Sequence, residues 1–265
     1  MFAAERKGVI IELIEQKGSV EINELARQIG VVPETIRRDL KELERQNIIQ
    51  RTHGGAIKKT RIETEFPVMV REMKNSGAKN RLCQEAARHL QDGDLIFVDN
   101  SSTMLSLIRY IDDGKKITIL TNSVQLLLEL CKYNKDNITM ISTGGIFRKH
   151  NMSLSGLVNN SLTTDFFPVK AFVSCYGFSF ESGFTDGSIH EIDMKRQMMH
   201  LASEVFVIMD HSKFDRRGPV RMGDIRICDT LIVDSLPSEE YGKQLCQMHP
   251  ELRICVCNPT EPGKE

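Results

Sequence analysis

The chain has 265 residues, 40% of them hydrophobic, with 35 Lys and Arg against 36 Asp and Glu for a net charge of −1. Such a length exceeds one minimal domain and suits a small module joined to a larger one, while the near-neutral balance excludes a surface that is basic throughout. No apolar core of signal-peptide length follows Met1 and no later run is long enough to span a bilayer, so a cytoplasmic protein without a membrane partner is expected.

Positive charge is nevertheless gathered near the amino end, where residues 37–59 hold seven Lys or Arg against three Asp or Glu. Val9, Ile10, Leu13 and Ile14 recur at helical spacing ahead of Gly18, which predicts a first helix over about 5–17. A second, shorter helix carries Leu25, Ala26 and Ile29 and ends at Gly30. A third opens at Val32-Pro33 and buries Ile36, Leu40 and Leu43, which leaves Thr35, Arg37, Arg38 and Lys41 on its flanks and outer face. Short strands around Ile48–Arg51 and Ala56-Ile57 then enclose Thr52-His53-Gly54-Gly55, a hairpin whose glycines are expected to supply positive φ and close approach to a backbone.

Three short helices with a hairpin after the last describe a winged helix-turn-helix over 1–58, whose third helix enters the DNA major groove. Arg51, His53, Gly54 and Gly55 of the wing then join Thr35, Arg37, Arg38 and Lys41 as candidate contacts to phosphates and base edges. A charged helix face alone is usually a solvated one, and Arg38 with Glu42 is an ordinary i, i+4 pair. Here helix count, turn position, charge sign and hairpin agree on DNA.

A polar stretch over 59–80 is expected to be a linker with a surface helix. From Leu82 the pattern changes. Apolar runs at Asp94–Val98, Ile117–Leu120, Ile138–Ile141, Ala171–Ser174, Val205–Met209 and Leu231–Asp234 alternate with helical stripes, which predicts an α/β domain over 81–257 with a largely parallel sheet. Ligands of such sheets collect at the carboxyl ends of strands. Asp99, Ser101, Ser102 and Thr103 follow the first run, Thr121, Asn122 and Ser123 the second, and Gly144, Gly145 and Arg148 the third. Hydroxyls and amides that open helices in this way suit a phosphorylated, polyhydroxylated ligand, although any one of Ser102 or Ser123 also reads as a plain N-cap. Residues 258–265, with two prolines, are expected to be a flexible tail.

No Walker loop or dinucleotide fingerprint is present, so no nucleotide cofactor is expected. The seven cysteines are odd in number and scattered, without Cys-x-x-Cys or finger-spaced histidines, which implies a reducing compartment and gives no metal site.

Thr35-Ile36-Arg37-Arg38-Asp39-Leu40, followed by Arg51-Thr52-His53-Gly54-Gly55, resembles the signature of the DeoR family of bacterial transcriptional repressors, with Val32 where that family has Ser or Thr. The resemblance continues through Asp99, Ser102 and Thr103, with Ser101 in place of a glycine, and through Gly177, Gly183-Phe184-Thr185, Glu191, Lys195 and Asp210-His211-Ser212-Lys213-Phe214, with His211 in place of a serine. It implies a double-stranded DNA operator as partner, a phosphorylated sugar as effector touching Gly177, Thr185, Glu191, Lys195 and Lys213 besides the three loops above, and a homodimer or larger assembly. The family's larger domain is similar in fold to ribose-5-phosphate isomerase, which raises a rival reading. Asp99, Glu191, Lys195 and Lys213 are residue types that a sugar-phosphate isomerase could use. Fusion to a DNA-binding module favours a sensor over an enzyme.

Overall fold

A computed structural model describes residues 3–45, 48–58, 67–156 and 165–257, which fall into two compact units, Met1–Ser76 and Gly77–Glu265. The first is built on three helices, α1 (Ala3–Lys17), α2 (Ile22–Ile29) and α3 (Pro33–Arg45). Ile10, Ile14, Leu25, Ile36, Leu40 and Leu43 form its core, so the apolar stripes read from the sequence all turn inward. Gly30 ends α2 in the left-handed region at φ 75°, where its N–H bonds to the Ala26 carbonyl. A side chain is strained there, so glycine makes the tight turn into α3 possible.

The wing has three strands rather than two. Strand β1 (Ser19–Glu21) pairs antiparallel with β3 (Gly55–Lys58), which pairs antiparallel with β2 (Ile49–Arg51). Three residues between two helices are too short for alternation to announce a strand, so β1 was hidden in the sequence. The stretch expected as a linker holds helix α4 (Val68–Met73), which packs on α1 and sends Val70 into the first unit's core. Residues 59–66 of that stretch, and the expected tail 258–265, lie outside the described residues.

The second unit begins with helix α5 (Ser76–Arg88), most of whose length lies in it, and is organised by a seven-stranded sheet. Its strands are β4 (Leu95–Val98), β5 (Ile117–Thr121), β6 (Ile138–Ser142), β9 (Lys170–Val173), β12 (Glu204–Met209), β14 (Thr230–Val233) and β15 (Arg253–Val256). Their order is β15-β14-β12-β9-β4-β5-β6, and every pairing is parallel. Six of them are the six apolar runs; Arg253–Val256, the seventh, is a half-exposed edge without such a run. Helices α6 (Leu107–Tyr110) and α7 (Val124–Leu130) follow β4 and β5. Two smaller pieces complete the unit, a hairpin of β7 (Ile146–Arg148) with β8 (Ser153–Ser155) and an antiparallel sheet of β10 (Gly177–Ser179), β11 (Gly183–Asp186) and β13 (Val220–Gly223). Helices α8 (Ile192–Leu201) and α9 (Glu239–Met248) lie in the later part of the unit. The chain runs outward from β4 through β5 to β6, then resumes at β9 on the other side of β4. That reversal opens a crevice above the carboxyl ends of β4 and β9, the place where open parallel sheets bind ligands.

Candidate functional site

On the first unit, Arg37, Arg38 and Lys41 are exposed along α3 and Thr35 is half-buried. Arg37 Nη1 donates to Glu34 Oε2 at 3.1 Å, but both side chains remain more than half exposed, so this pair lies on the surface and does not withdraw the cation. Two acidic residues of α3, Asp39 and Glu42, point the other way. Arg6 Nε donates to buried Asp39 at 2.6 Å and Lys7 Nζ to Glu42 at 2.5 Å, so α1 anchors the inner side of the helix while its basic face stays outward. His53 and Gly54 are exposed at the wing tip, and half-buried Arg51 donates its backbone N–H to Glu44 at 3.0 Å.

The expected use of the two glycines needs correction. Neither Gly54 nor Gly55 has a positive φ. Gly55 is buried in β3, where a Cβ would stand 1.9 Å from the Val20 carbonyl oxygen, so the absence of a side chain lets β1 and β3 approach.

On the second unit the crevice is floored by charged groups that are almost wholly buried. Asp99, directly after β4, accepts from the backbone N–H of Ser101 at 3.0 Å and of Ser174 at 2.9 Å, which joins the two strands at the reversal. Lys195 Nζ, 6% exposed with its residue on α8, meets Asp99 at 3.0 Å and Asp186 at 2.7 Å and donates to the Ser174 carbonyl at 2.8 Å. Burial opposes its charge, yet the two carboxylates more than offset that and raise its pKa above the ordinary lysine value. Glu191 accepts from Asn100 at 2.8 Å, Asn151 at 3.1 Å, Ser153 at 2.5 Å and Arg148 at 3.3 Å. Glu191 and Lys195, four residues apart, therefore sit in two separate buried networks, each with its own partners.

Around these lie Thr103, whose hydroxyl is 3.3 Å from that of Ser174, and Ser102, whose hydroxyl accepts from Lys79 at 3.2 Å. Thr121 and Ser123 are committed locally: Thr121 donates to the Val98 carbonyl at 2.7 Å, and Ser123 caps α7 by accepting from Leu126 at 3.1 Å. Ser101 Oγ and Asn122 Oδ1 are buried and have no hydrogen-bond partner among the described residues. Residues 101–103 do not open a helix directly; turns intervene before the four-residue α6, so a helix dipole adds little there. Gly144 and Gly145 form the turn between β6 and β7, with Gly145 close against Ser155.

Three further predicted residues have local partners of their own. Thr185 donates to the Gly177 carbonyl at 2.9 Å and accepts from Gly218 at 2.8 Å, so its hydroxyl braces the small antiparallel sheet. A Cβ on Gly177 would stand 2.4 Å from the Arg216 carbonyl, which makes that glycine a packing requirement. Half-buried Lys213 sits over the Tyr176 ring at 6.0 Å, and Arg216 contacts the same ring at 5.0 Å.

Residues 6–61 match the DeoR-like helix-turn-helix domain and residues 74–235 match the DeoR C-terminal sensor domain. The chain belongs to the DeoR family. Among its relatives, the HTH-type transcriptional regulator YulB of Bacillus subtilis is 34% identical, covering 89% of this chain and 90% of that one. The glycerol-3-phosphate regulon repressor of Escherichia coli is 31% identical, covering 96% and 100%. A ribose 5-phosphate isomerase A from Methanocaldococcus jannaschii is similar over 53% of this chain and 55% of that one, with 16% identity and a TM-score of 0.40. This DeoR-family chain is a DNA-binding transcriptional regulator, the reading preferred above over an isomerase.

Several residues of this DeoR chain's crevice escaped the sequence reading. Lys79 is buried on α5 with Leu82, Cys83 and Ala86 at i+3, i+4 and i+7, so the helical period already placed it inward; a lysine on an apolar face was the available signal. Asn151, Ser153, Asp186 and Ser188 come from loops and short strands with no periodic signal. The neighbouring Cys83 thiol donates to the Thr103 carbonyl at 2.9 Å, and burial pushes its pKa up to about 12, so it stays protonated.

Proposed function

We propose that the crevice above β4 and β9 binds a phosphorylated sugar or sugar-like polyol, and that this occupancy sets the DNA affinity of a homo-oligomeric repressor in the cytoplasm. The carrying observation is the convergence of Asp99, Glu191 and Lys195, all buried, beside the unpartnered Ser101 Oγ and Asn122 Oδ1. Buried polar atoms without partners cost free energy, so they suit the hydroxyls of an incoming ligand. Lys79, Lys213 and Arg148 supply cations for a phosphate group, and carboxylates suit the polyol hydroxyls. The relative named as a glycerol-3-phosphate regulon repressor supports a small phosphorylated polyol and the repressing sign. One helix-turn-helix covers too few base pairs for selective binding, which supports a dimer or larger assembly gripping repeated half-sites. Ligand binding would then favour subunit arrangements whose recognition helices no longer match the operator.

A thermal-shift screen of the full chain against phosphorylated sugars and glycerol 3-phosphate tests the reading, because a ligand of the folded state raises its apparent stability. A phosphorylated compound that raises the melting temperature of the parent protein and not of Asn122→Leu is expected. A flat response across the panel, or equal shifts in both proteins, would count against this crevice. Incubation of the same compounds in heavy water addresses the isomerase alternative: deuterium entering the sugar carbon skeleton at enzymic rates would favour an enzyme.

A further inference from the structure

Away from the crevice, Glu85 on α5, His89 in the turn just past its end and Cys255 on the edge strand β15 come together, so that a carboxylate oxygen, an imidazole nitrogen and a sulfur lie within 4.8 Å of one another. We propose that this cluster binds a divalent transition-metal cation of the zinc class. Glu85 and His89 stand at i, i+4, on one face of the helical segment. Ile254 packs against the main core, so alternation along β15 directs Cys255 to the opposite side of the sheet, the side that Glu85 and His89 share.

Two features separate this cluster from ordinary surface polarity. His89 Nε2 is shielded from solvent and has no hydrogen-bond partner among the described residues; the nearest carboxylate oxygen, Glu85 Oε1, is 3.7 Å away, too far for a hydrogen bond. The other oxygen of Glu85 is held by Arg88 at 2.7 Å, which leaves Oε1 toward His89 in the way that supporting groups orient metal ligands. The neighbouring cations do not close the site to a metal, because Arg253 faces Glu204, Lys170 faces Asp94 and Arg88 faces Glu85 itself.

The donor set selects the metal. Sulfur, imidazole and one carboxylate suit zinc rather than magnesium or calcium, and three protein ligands leave a fourth position for water. Zinc bonds of about 2.0–2.3 Å place tetrahedral ligands roughly 3.3–3.8 Å apart; the imidazole and carboxylate are already 3.7 Å apart, and no separation exceeds 4.8 Å, so a contraction within reach of side-chain rotation suffices. A cysteine ligates as the thiolate, so the cation must displace the thiol proton into solvent and affinity rises with pH. A bound ion would fasten the outer strand of the sheet to α5, the helix whose Lys79 and Cys83 hold Ser102 and Thr103. Sequence spacing could not reveal the cluster, since its third ligand comes from the far end of the chain.

The full-length protein, reduced and stripped with a chelator, would be titrated with Co²⁺ and then Zn²⁺. One equivalent of Co²⁺ should bind with a thiolate-to-cobalt charge-transfer band, which Zn²⁺ then bleaches. Cys255→Ser should remove that band, and His89→Gln should weaken affinity by more than about tenfold, the least that loss of even a supporting partner costs. Cys131→Ser and Cys246→Ser, at exposed cysteines, should leave both unchanged. Should Cys255→Ser not fold, His89→Gln and Glu85→Gln carry the test through the affinity. Absence of the band, its survival in Cys255→Ser, or parent-like affinity in His89→Gln would overturn the proposal.

Discussion

Lys195 Nζ lies 3.0 Å from Asp99 Oδ2, so a helix of the second unit brings an ammonium within salt-bridge reach of the carboxylate that joins β4 to β9. The same ammonium holds Asp186 at 2.7 Å. Lys195→Met is expected to leave two buried carboxylates without their cation and to cost about 3–5 kcal/mol in denaturant unfolding. The sign of the pH dependence follows from the raised pKa of Lys195. Its contribution is fully present below the ordinary lysine pKa of about 10.4 and is lost only as pH rises through the folded value, so the difference between parent and variant should stay flat from about pH 6 to 9. A difference that collapses within that window would contradict this ion triad.

Arg38 is exposed on the outer face of α3, while Asp39 and Glu42 are clamped on its inner side by α1. Arg38→Ala should weaken binding to duplex DNA and make log affinity fall less steeply with log salt, by about 1 in the slope for each phosphate that the arginine neutralises. Ligand-induced thermal shifts should be unchanged, since the substitution is on the first unit. Fluorescence anisotropy over a salt series reads both numbers. An unaltered slope and affinity would remove Arg38 from the DNA interface.

Much of this arrangement was legible in the sequence, and the exceptions share a physical cause. Ile36, Leu40 and Leu43 fixed the outer face of α3, and six apolar runs became six of the seven parallel strands because a strand covered on both sides needs no polar alternation. Strand β1 and the hairpin β7–β8 were missed because each is too short for a period to show, and the helix expected within the linker, α4, turns Val70 into the core instead of lying on the surface. The site divided in the same way. Asp99 and Lys195 were nameable, but Asp186 as their partner, and the four donors around Glu191, depend on loops brought together only by the fold.

Gly55→Ala should disrupt the wing. The added methyl would meet the Val20 carbonyl oxygen at 1.9 Å and its carbon at 2.9 Å, both backbone atoms that cannot rotate away. Overpacking of this kind costs about 1–3 kcal/mol, and here it falls on the β1–β3 pairing. Hydrogen exchange should quicken at residues 19–21 and 55–57, DNA affinity should fall, and exchange in the seven-stranded sheet should remain as before. Gly54→Ala is the control: nothing lies within 4 Å of its Cβ and its φ is ordinary, so it should fold like the parent.

The second anchor of α3, Lys7 with Glu42, gives the first unit a measurable acid dependence. The hydrogen bond from Lys7 lowers the Glu42 pKa, with burial opposing and further attraction from Lys7 and Arg45 assisting. A carboxylate whose folded pKa is depressed contributes stability above its unfolded value, near 4.3, and loses that contribution as pH falls through the folded value. Glu42 is 41% exposed, so solvent screening limits the contribution to under about 1 kcal/mol. Glu42→Gln should therefore destabilise the first unit by that small amount at neutral pH and become indistinguishable from the parent below about pH 3.5. Unfolding of the two proteins followed across an acid titration measures the gap, and a gap that persists or widens in acid would mean that Glu42 acts through packing rather than through its charge.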